Sequence, residues 1–199
     1  RQTSEQLFEF TFDYARRRKA NRERPKVTLV DKANIFTSMA FFRKVFDEAA
    51  EKHSDIDVEH VYVDACALDF VRRPWEFDVV VTENMFGDIL SDLAAGLVGG
   101  MGFAPSADIG DQQAVFQPAH GSAPDIVGLG TANPTAAILS GAMMLDWLGR
   151  RHGVSQCLDA ARLIEQAVEQ VLAKRRMNAA DIDTWRTSEM TEMVIGAIG

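Results

Sequence analysis

The sequence predicts an α/β protein, in which short apolar strands alternate with amphipathic helices. The chain has 199 residues, of which 47% are hydrophobic, and this is enough for a packed core. KVTLVD at 26–31 and FDVVVTE at 77–83 have the runs of β-branched residues that are typical of buried strands. Longer segments between such runs have apolar residues every three or four positions, which is the spacing of a helix. This alternation favours a sheet covered by helices.

The first half of the chain contains two further predicted helices and one further strand. A helix is expected from an N-cap at Ser4 to the basic cluster that precedes Pro25, because its apolar residues have helical spacing. A second helix is expected over about 37–52, where apolar residues form one stripe and acidic residues face water. DVEHVYVDA, residues 57–65, is predicted to be a strand.

The second half changes in character at Val98. Segments 98–111 and 118–134 are rich in Gly, Pro and small residues, so we expect ordered loops there. QAVFQP between them can be a strand, and three helices follow. The first of these is almost entirely apolar, the second is amphipathic, and the last begins at a capping-box-like Thr187-x-x-Met190 that lacks its Glu.

Charge and cysteine content exclude several classes of function. The formal net charge is −8, which disfavours nucleic acid or an anionic membrane as the main partner. No apolar run approaches the roughly 20 residues that span a bilayer. Cys66 and Cys157 lie far apart and form no CxxC motif, so we expect two reduced, small apolar side chains in a cytoplasmic protein.

Two aspartates lie four residues apart within TENMFGDILSDLAAGL, residues 82–97. In a helix that begins near Phe86, Asp88 and Asp92 project from one face, one turn apart. A divalent cation between them would relieve their repulsion, whereas a capping Asp88 and an exposed Asp92 would need no ligand. A third carboxylate would favour the metal, and Asp64 at the predicted end of a strand is the candidate.

Two loop positions could also carry chemistry. Lys32 follows the first strand; alone it is an ordinary loop lysine, but beside a metal and aspartates it can act as an acid or base. In HGSAPDIVGLGTANP, residues 120–134, small residues would let the backbone approach a flat ligand. The GLG in it is not a dinucleotide fingerprint, because no strand leads into it. Asp125 could accept hydrogen bonds from ribose hydroxyls or form an Asx-type turn.

Four segments together resemble the isocitrate/isopropylmalate dehydrogenase family, the β-decarboxylating dehydrogenases. They are VDKAN, YVDA, FDVVVTENMFGDILSDLAAGL and FQPAHGSAPDIVGLGTANPTAAILSGAMML, and they occur in the family's order. The resemblance implies an isopropylmalate-dehydrogenase-like fold, in which a sheet is flanked by helices. It implies that 1–98 is part of a small α/β domain with the dimer interface and metal site, and that 99–199 is the C-terminal part of the large NAD-binding domain.

The resemblance also implies an activity, namely NAD-dependent oxidative decarboxylation of a 2-hydroxy diacid with Mg²⁺ or Mn²⁺. The enzyme would be a homodimer with shared active sites. DKAN with TENMFGDILSD is most similar to isopropylmalate dehydrogenases, so 3-isopropylmalate is the first substrate expected. DLAAGLVGGMGFAPSADIG is similar to isocitrate and homoisocitrate enzymes, and SGAMMLDWLG to the tartrate/D-malate type, so these substrates stay open.

Residue roles follow from the same resemblance. Lys32 matches the lysine that handles the substrate hydroxyl proton and later the enol, and Asn34 lies near the nicotinamide in that match. Asp88 and Asp92 match the two in-chain metal ligands, and Asp64 matches the ligand supplied, with the lysine, by the partner. The matched positions on the adenosine side of the cofactor are His120, Gly121, Ser122, Ala123, Asp125, Ile126 and Asn133. An aspartate at position 125 is the NAD-preferring choice.

The sequence departs from the family in two respects. Gln117 stands where the family usually has Glu, next to the cofactor loop. The family's N-terminal part, including substrate-binding arginines and a tyrosine, is expected to be absent from this chain, so part of the cofactor domain is absent. A non-catalytic regulatory or dimerisation subunit, or a nucleotide-binding module without chemistry, would have the same fold. We rank both below an enzyme, because Lys32 and the three aspartates are present.

Overall fold

The computed structural model describes residues 1–18, 24–176 and 186–199. The chain divides into two compact units, Arg1–Ala94 and Ala95–Gly199, with the division four residues before the predicted boundary at 98. No helix within the three described ranges is long and apolar enough to cross a membrane.

The first unit is built on a parallel three-stranded sheet. Its strands are β1 (Lys26–Asp31), β2 (Asp57–Tyr62) and β3 (Val79–Val81), in the order β2-β1-β3. Parallel neighbours require crossover connections, and these contain α2 (Thr37–Ala50) and α3 (Val63–Arg72). The structure therefore confirms the predicted α/β class.

Helices cover both faces of this sheet, because side chains along β1 alternate in direction. Val27 and Leu29 point into a core with α1 (Gln2–Arg17) and α2, where Phe8, Phe12 and Phe46 are fully buried. The Phe46 ring lies 5.2 Å from that of Phe8 and 5.4 Å from that of Phe12, between ring centroids.

The opposite face of the sheet carries a second core. Val30 packs there with Cys66 and Phe70 of α3, and with Leu90 of α4 (Asn84–Leu97). As predicted, Cys66 is a buried free thiol, whereas Cys157 is only partly buried.

The second unit combines a hairpin with three helices. β4 (Pro105–Ile109) pairs antiparallel with β5 (Ala114–Pro118), and Ala107 lies opposite Phe116. The helices are α5 (Thr135–His152), α6 (Ser155–Arg176) and α7 (Thr187–Ile198). Their core contains Val168 of α6 and Met190 of α7, with Ile138 of α5 against them.

The turn between α5 and α6 depends on two glycines. Gly153 has a φ of +67°, the left-handed conformation in which glycine commonly ends a helix. A Cβ on Gly149 would lie 2.7 Å from Cδ2 of Leu158 and 3.0 Å from the carbonyl oxygen of Val154, so only glycine allows this close approach.

Several predictions of element bounds and type are wrong. The N-cap of α7 is Arg186 rather than Thr187, and Glu189 supplies the capping-box carboxylate that was predicted to be missing. Helix α1 begins at Gln2 with Arg1 as N-cap, so Ser4 lies inside it. The strand predicted over 57–65 ends at Tyr62, and Asp64 belongs to the first turn of α3. Strand β4 lies in the segment 98–111 that was predicted as loop, because the Pro, Gly and small residues of that segment carry no strand pattern. Part of the basic cluster before Pro25 lies outside the described residues.

Candidate active site

The segment around Lys32 is fixed by a buried ion pair at the end of β1. The Asp31 carboxylate is fully buried, and both its oxygens accept hydrogen bonds of 2.7 Å from the Arg43 guanidinium of α2. Asp31 Oδ1 also accepts the backbone N–H of Ala33 at 2.9 Å. A fork of this kind has little freedom, so the backbone on both sides of Lys32 is held in place.

Lys32 lies between an aromatic ring and a carboxylate. Its Nζ is 5.7 Å from the centroid of the Tyr62 ring, and the Arg43 guanidinium lies 5.3 Å from the same centroid. Lys32 Nζ also donates a hydrogen bond to Asp64 Oδ1. This bond lowers the pKa of the Asp64 carboxyl below its ordinary value. The Lys32 side chain is 18% exposed and that of Asp64 is 69% exposed, so the Asp64 end of the pair faces solvent.

The start of α4 is tied to the sheet and capped by Glu83. Thr82 Oγ1 donates a hydrogen bond of 2.7 Å to the carbonyl oxygen of Val30, which joins the ends of β3 and β1. The Glu83 carboxylate accepts the backbone N–H groups of Met85 and Phe86 at 3.0 and 2.8 Å. These bonds satisfy donors that a helix start leaves open, and so they fix where α4 begins.

Asp88 and Asp92 stand one turn apart on this helix, and both are exposed. Glu83 caps the helix, so the capping role that would explain Asp88 without a ligand is filled by another residue. Within the described parts of the chain, neither aspartate side chain has an ion pair or hydrogen bond. Two carboxylates without a cationic partner fit the oxygen donors that Mg²⁺ and Mn²⁺ require.

The three predicted metal ligands and the predicted catalytic lysine divide into two sets within the first unit. Lys32 and Asp64 form one set, and Asp88 and Asp92 form the other. Among the described residues, no group of three or more His, Cys, Asp or Glu side chains could hold a metal ion. The described residues of one copy therefore bring together an incomplete ligand set, and the complete site stays a prediction.

The predicted cofactor loop, residues 120–133, lies in the second unit between β5 and α5. His120 Nδ1 lies 2.8 Å from the carbonyl oxygen of Gly121. Ala123 has a φ of +43°, which is uncommon for a residue with a side chain and precedes a 3₁₀ turn at Pro124–Ile126. Strained backbone of this kind clusters at ligand sites.

Side chains on the loop are open to solvent. Ser122 and Asp125 are exposed, and Ile126 is 37% exposed. In the part of the chain that the structure describes, Asp125 makes no hydrogen bond, so its carboxylate is available to ribose hydroxyls. Open glycines and an acceptor at the tip fit an NAD-binding loop.

Three other predicted positions lie outside the exposed tip of the loop. Asn133 is half-buried, and its Oδ1 accepts the backbone N–H of Thr135 at 2.9 Å, so it caps α5 as well as ending the loop. Asn34 is exposed in the turn after β1, in the first unit. Gln117 is exposed on β5, opposite Ser106.

Sequence reasoning did not predict the contacts by which Arg43, Tyr62 and Thr187 hold the candidate residues in place. Arg43 lies on α2, which packs on the strand that ends at Asp31. A basic residue on such a helix is a weak sequence signal that it pairs with a buried carboxylate. Thr187 is the first residue of α7 and bonds the carbonyl groups of Gly130 and Ala132 in the loop. No local sequence signal indicates that contact, because 55 residues separate Thr187 from Ala132.

Comparisons with known proteins agree with the resemblance. The profile of the family described as isocitrate/isopropylmalate dehydrogenase matches residues 1–194. The chain is 49% identical over 170 residues to the 3-isopropylmalate/3-methylmalate dehydrogenase of Methanocaldococcus jannaschii, covering 85% of this chain and 49% of that protein. It is 50% identical over 179 residues to an isocitrate/homoisocitrate dehydrogenase of Thermus thermophilus, covering 88% of this chain and 51% of that protein.

Among solved structures, an isocitrate dehydrogenase from Methylococcus capsulatus superposes with a TM-score of 0.84 at 44% identity, over 98% of this chain and 56% of that one. The chain thus spans about half the length of the curated relatives that it matches. Matches of this extent and identity leave one assignment: the chain belongs to the isocitrate/isopropylmalate dehydrogenase family.

Proposed function

We propose that the complete protein carrying this chain is an NAD-dependent, divalent-metal-dependent dehydrogenase that oxidatively decarboxylates a 2-hydroxy diacid. The observation that carries the proposal is the division of the predicted residues into a Lys32–Asp64 pair and an exposed Asp88/Asp92 pair. A lysine and three carboxylates are the groups needed to bind a metal and move a proton. A regulatory subunit or a plain nucleotide-binding module has no need of all four.

Each set has its own part in the reaction. When bound, the cation would supply Lewis acidity towards the hydroxy acid and its keto product, and NAD would supply the hydride acceptor. Asp88 and Asp92 would hold the cation with Asp64 of a second copy. Lys32 Nζ would take the substrate hydroxyl proton and return a proton after CO₂ leaves. The buried Asp31–Arg43 pair keeps the backbone at Lys32 from moving during these transfers.

The dimer is supported by the incomplete ligand set and by apolar side chains on α3 and α4. Those outer positions are Leu68, Val71, Met85 and Ile89, which are 54%, 59%, 56% and 59% exposed. Apolar residues exposed along two helices that already cover a core are typical of a buried subunit interface. A second copy placed there would bring its Lys32 and Asp64 towards the Asp88/Asp92 pair of the first.

The substrate proposal follows the names of the relatives. We place 3-isopropylmalate first, since relatives with that name include those of Methanocaldococcus jannaschii and Aquifex aeolicus. Isocitrate and homoisocitrate come next, because a Thermus thermophilus relative carries both names at similar identity. Tartrate and D-malate rest on the sequence resemblance alone. The two free cysteines fit a reducing compartment such as the cytoplasm.

A mixed-dimer experiment tests the shared site. Lys32→Gln and Asp88→Asn homodimers should each lose Mn²⁺-dependent NAD reduction, since each removes one essential group from every site. In a verified heterodimer one of the two sites is intact, so about half of the wild-type rate should return. Asp108→Asn removes the same charge from exposed β4 and serves as the control. Failure of the heterodimer to recover would refute the shared site, and full activity of Asp88→Asn would refute the metal assignment.

A further inference from the structure

The first residue of α7 makes two hydrogen bonds to the cofactor loop. The backbone N–H of Thr187 donates to the carbonyl oxygen of Gly130 at 2.8 Å. Its hydroxyl Oγ1 donates to the carbonyl oxygen of Ala132 at 2.5 Å. One residue therefore binds two loop carbonyl groups that stand two positions apart in the sequence.

Helix α7 is a firm anchor for these bonds. Met190 and Val194 are each 2% exposed and pack in the core of the second unit against α5 and α6. The backbone N–H of Arg186 donates to the Glu189 carboxylate at 3.1 Å, which stabilises the helix start next to Thr187. A movement of Thr187 would thus require a movement of the core.

The loop has few other attachments. Residues 121–132 are all exposed, and Asn133 holds the end by capping α5. Inside the loop, backbone bonds such as Ile126 N to Ala123 O join near neighbours and do not tie the segment to other elements. Among the hydrogen bonds of the described residues, those of Thr187 are the long-range ones that hold the GLGTAN segment, 128–133, and Gly102 also lies close to Asn133 at its end.

We infer that Thr187 is a positioning residue for cofactor binding: it holds residues 130–132 so that the loop presents the Asp125 carboxylate to NAD without first being ordered. The inference rests on the proposed function, in which this loop binds the adenosine side of NAD. Ordering a loop at the moment of binding weakens affinity, so a loop that is already held binds more tightly.

A graded series of variants at position 187 separates the two bonds. Thr187→Ser keeps both donors, Thr187→Val removes the hydroxyl, and Thr187→Pro removes the hydroxyl and the N–H. Proline suits the first position of a helix, and Arg186 before it is already extended with a ψ of 150°. The helix start therefore tolerates all three changes.

Thr191→Val is the matched control on the same helix. Its hydroxyl donates to the backbone oxygen of Thr187 at 2.8 Å, one turn away, and among the described residues it makes no hydrogen bond to the loop. This variant removes an identical group from α7 and leaves the loop bonds intact. Thermal unfolding of every variant shows whether the fold is retained.

The measurements are NADH affinity by fluorescence titration and amide hydrogen exchange of residues 121–133 without cofactor, both on the complete protein. The Kd for NADH should rise roughly 2- to 10-fold in Thr187→Val, since one hydrogen bond is lost, and further in Thr187→Pro. The rate of amide hydrogen exchange in the loop should rise in the same order. Thr187→Ser and Thr191→Val should stay within about 2-fold of wild type in both. In steady-state kinetics, KM for NAD should rise, while kcat and KM for the diacid should stay unchanged.

The outcomes distinguish this inference from the proposed function. An unchanged Kd in Thr187→Pro, or an equal loss in Thr191→Val, overturns the positioning role. Faster loop exchange with unchanged NADH affinity overturns it as well. Asp125→Lys tests the role of the loop: if that variant binds NADH as the wild type does, Asp125 does not contact the cofactor and this inference fails, whereas the proposed function is still decided by the mixed-dimer experiment. If only Asp125→Lys weakens NADH, the proposed function stands without this inference.

Discussion

Individual residues in this chain show how buried charge is placed. Asp31 and Asp78 have side chains that are 0% and 1% exposed, and each is paired with an arginine, Arg43 or Arg18. A buried carboxylate is tolerated only with such a partner, because desolvation of an unpaired charge is costly. The Asp31–Arg43 pair adjoins Lys32. The end of β1 therefore holds both a buried charge that needs its partner and the lysine that is proposed to transfer protons.

Asp125 should decide between the two nicotinamide cofactors. Its exposed carboxylate favours ribose hydroxyls and repels a 2′-phosphate, so Asp125→Lys should lower the kcat/KM ratio of NAD to NADP by about 10-fold or more. Steady-state kinetics with both cofactors measure this ratio. Asp111→Asn, in an exposed loop of the same unit, is the control. An unchanged ratio in Asp125→Lys would remove this residue from the ribose.

Asp55 should make folding stability depend on acid pH. The Arg16 guanidinium donates to it at 2.7 and 2.8 Å, and this lowers the pKa of the Asp55 carboxyl from 3.8 to about 2. A lowered pKa stabilises the fold above the unfolded value and loses that effect as pH falls towards 2. Wild type should thus exceed Asp55→Asn in unfolding free energy at pH 5–7, and the difference should shrink from pH 4 to pH 2. Urea unfolding across this range measures it; a difference that is constant with pH would contradict the pairing.

At the scale of elements, periodicity predicted the helices well and the strand ends poorly. The stripes in α2 and α6 follow directly from apolar spacing, because each helix buries one face. Val63 has the β-branched side chain of a strand residue, yet it starts α3. Strand β4 depends on pairing with β5, and a single segment carries no signal of its partner.

The candidate site divides in the same way. Asp88 and Asp92 could be placed on one helix face because their spacing is local. The Lys32–Asp64 contact joins residues 32 apart and follows from the topology of parallel strands. Asn133 was predicted from resemblance as a cofactor residue, and its capping of α5 is visible only in the fold. Local patterns thus predict which residues share an element, and tertiary structure decides which elements meet.

Two phenylalanines of α1 provide a matched test of its packing. Phe12 is fully buried against Phe46, whereas Phe10 on the same helix is 42% exposed. Phe12→Ala should lower the free energy of unfolding by about 3–5 kcal/mol, since it leaves a cavity. Phe10→Ala should cost less than about 1 kcal/mol. Urea denaturation compares them, and equal losses would mean that α1 is not packed as described.

At the scale of the whole molecule, assembly and activity are proposed to be inseparable. One copy of the chain gathers fewer than three candidate metal ligands among its described residues, and the exposed apolar face of α3 and α4 offers the place for a second copy. Activity should therefore be lost whenever the dimer is lost, even where every site residue is intact.

Leu68→Asp should separate the subunits. It puts a charge on the outer face of α3, where Leu68 is 54% exposed and is none of the predicted ligands. We expect a monomer by sedimentation and at least about a 100-fold loss of NAD reduction, because a buried interface does not accept an unpaired charge. Ile195→Asp on α7, at 62% exposure, is the control. A fully active monomer would end the proposal of a shared site.

The thiol of Cys66 can report how often helix α3 opens from the sheet. Burial, followed by the charges of Asp69 and Glu59, raises its pKa to about 12, so almost no thiolate exists at neutral pH. Alkylating reagents should therefore modify partly buried Cys157 first and reach Cys66 only when α3 lifts from the sheet. Timed labelling read by mass spectrometry would measure how often those openings occur. In the proposed dimer, whose interface includes α3, bound substrate or cation should make the labelling of Cys66 slower.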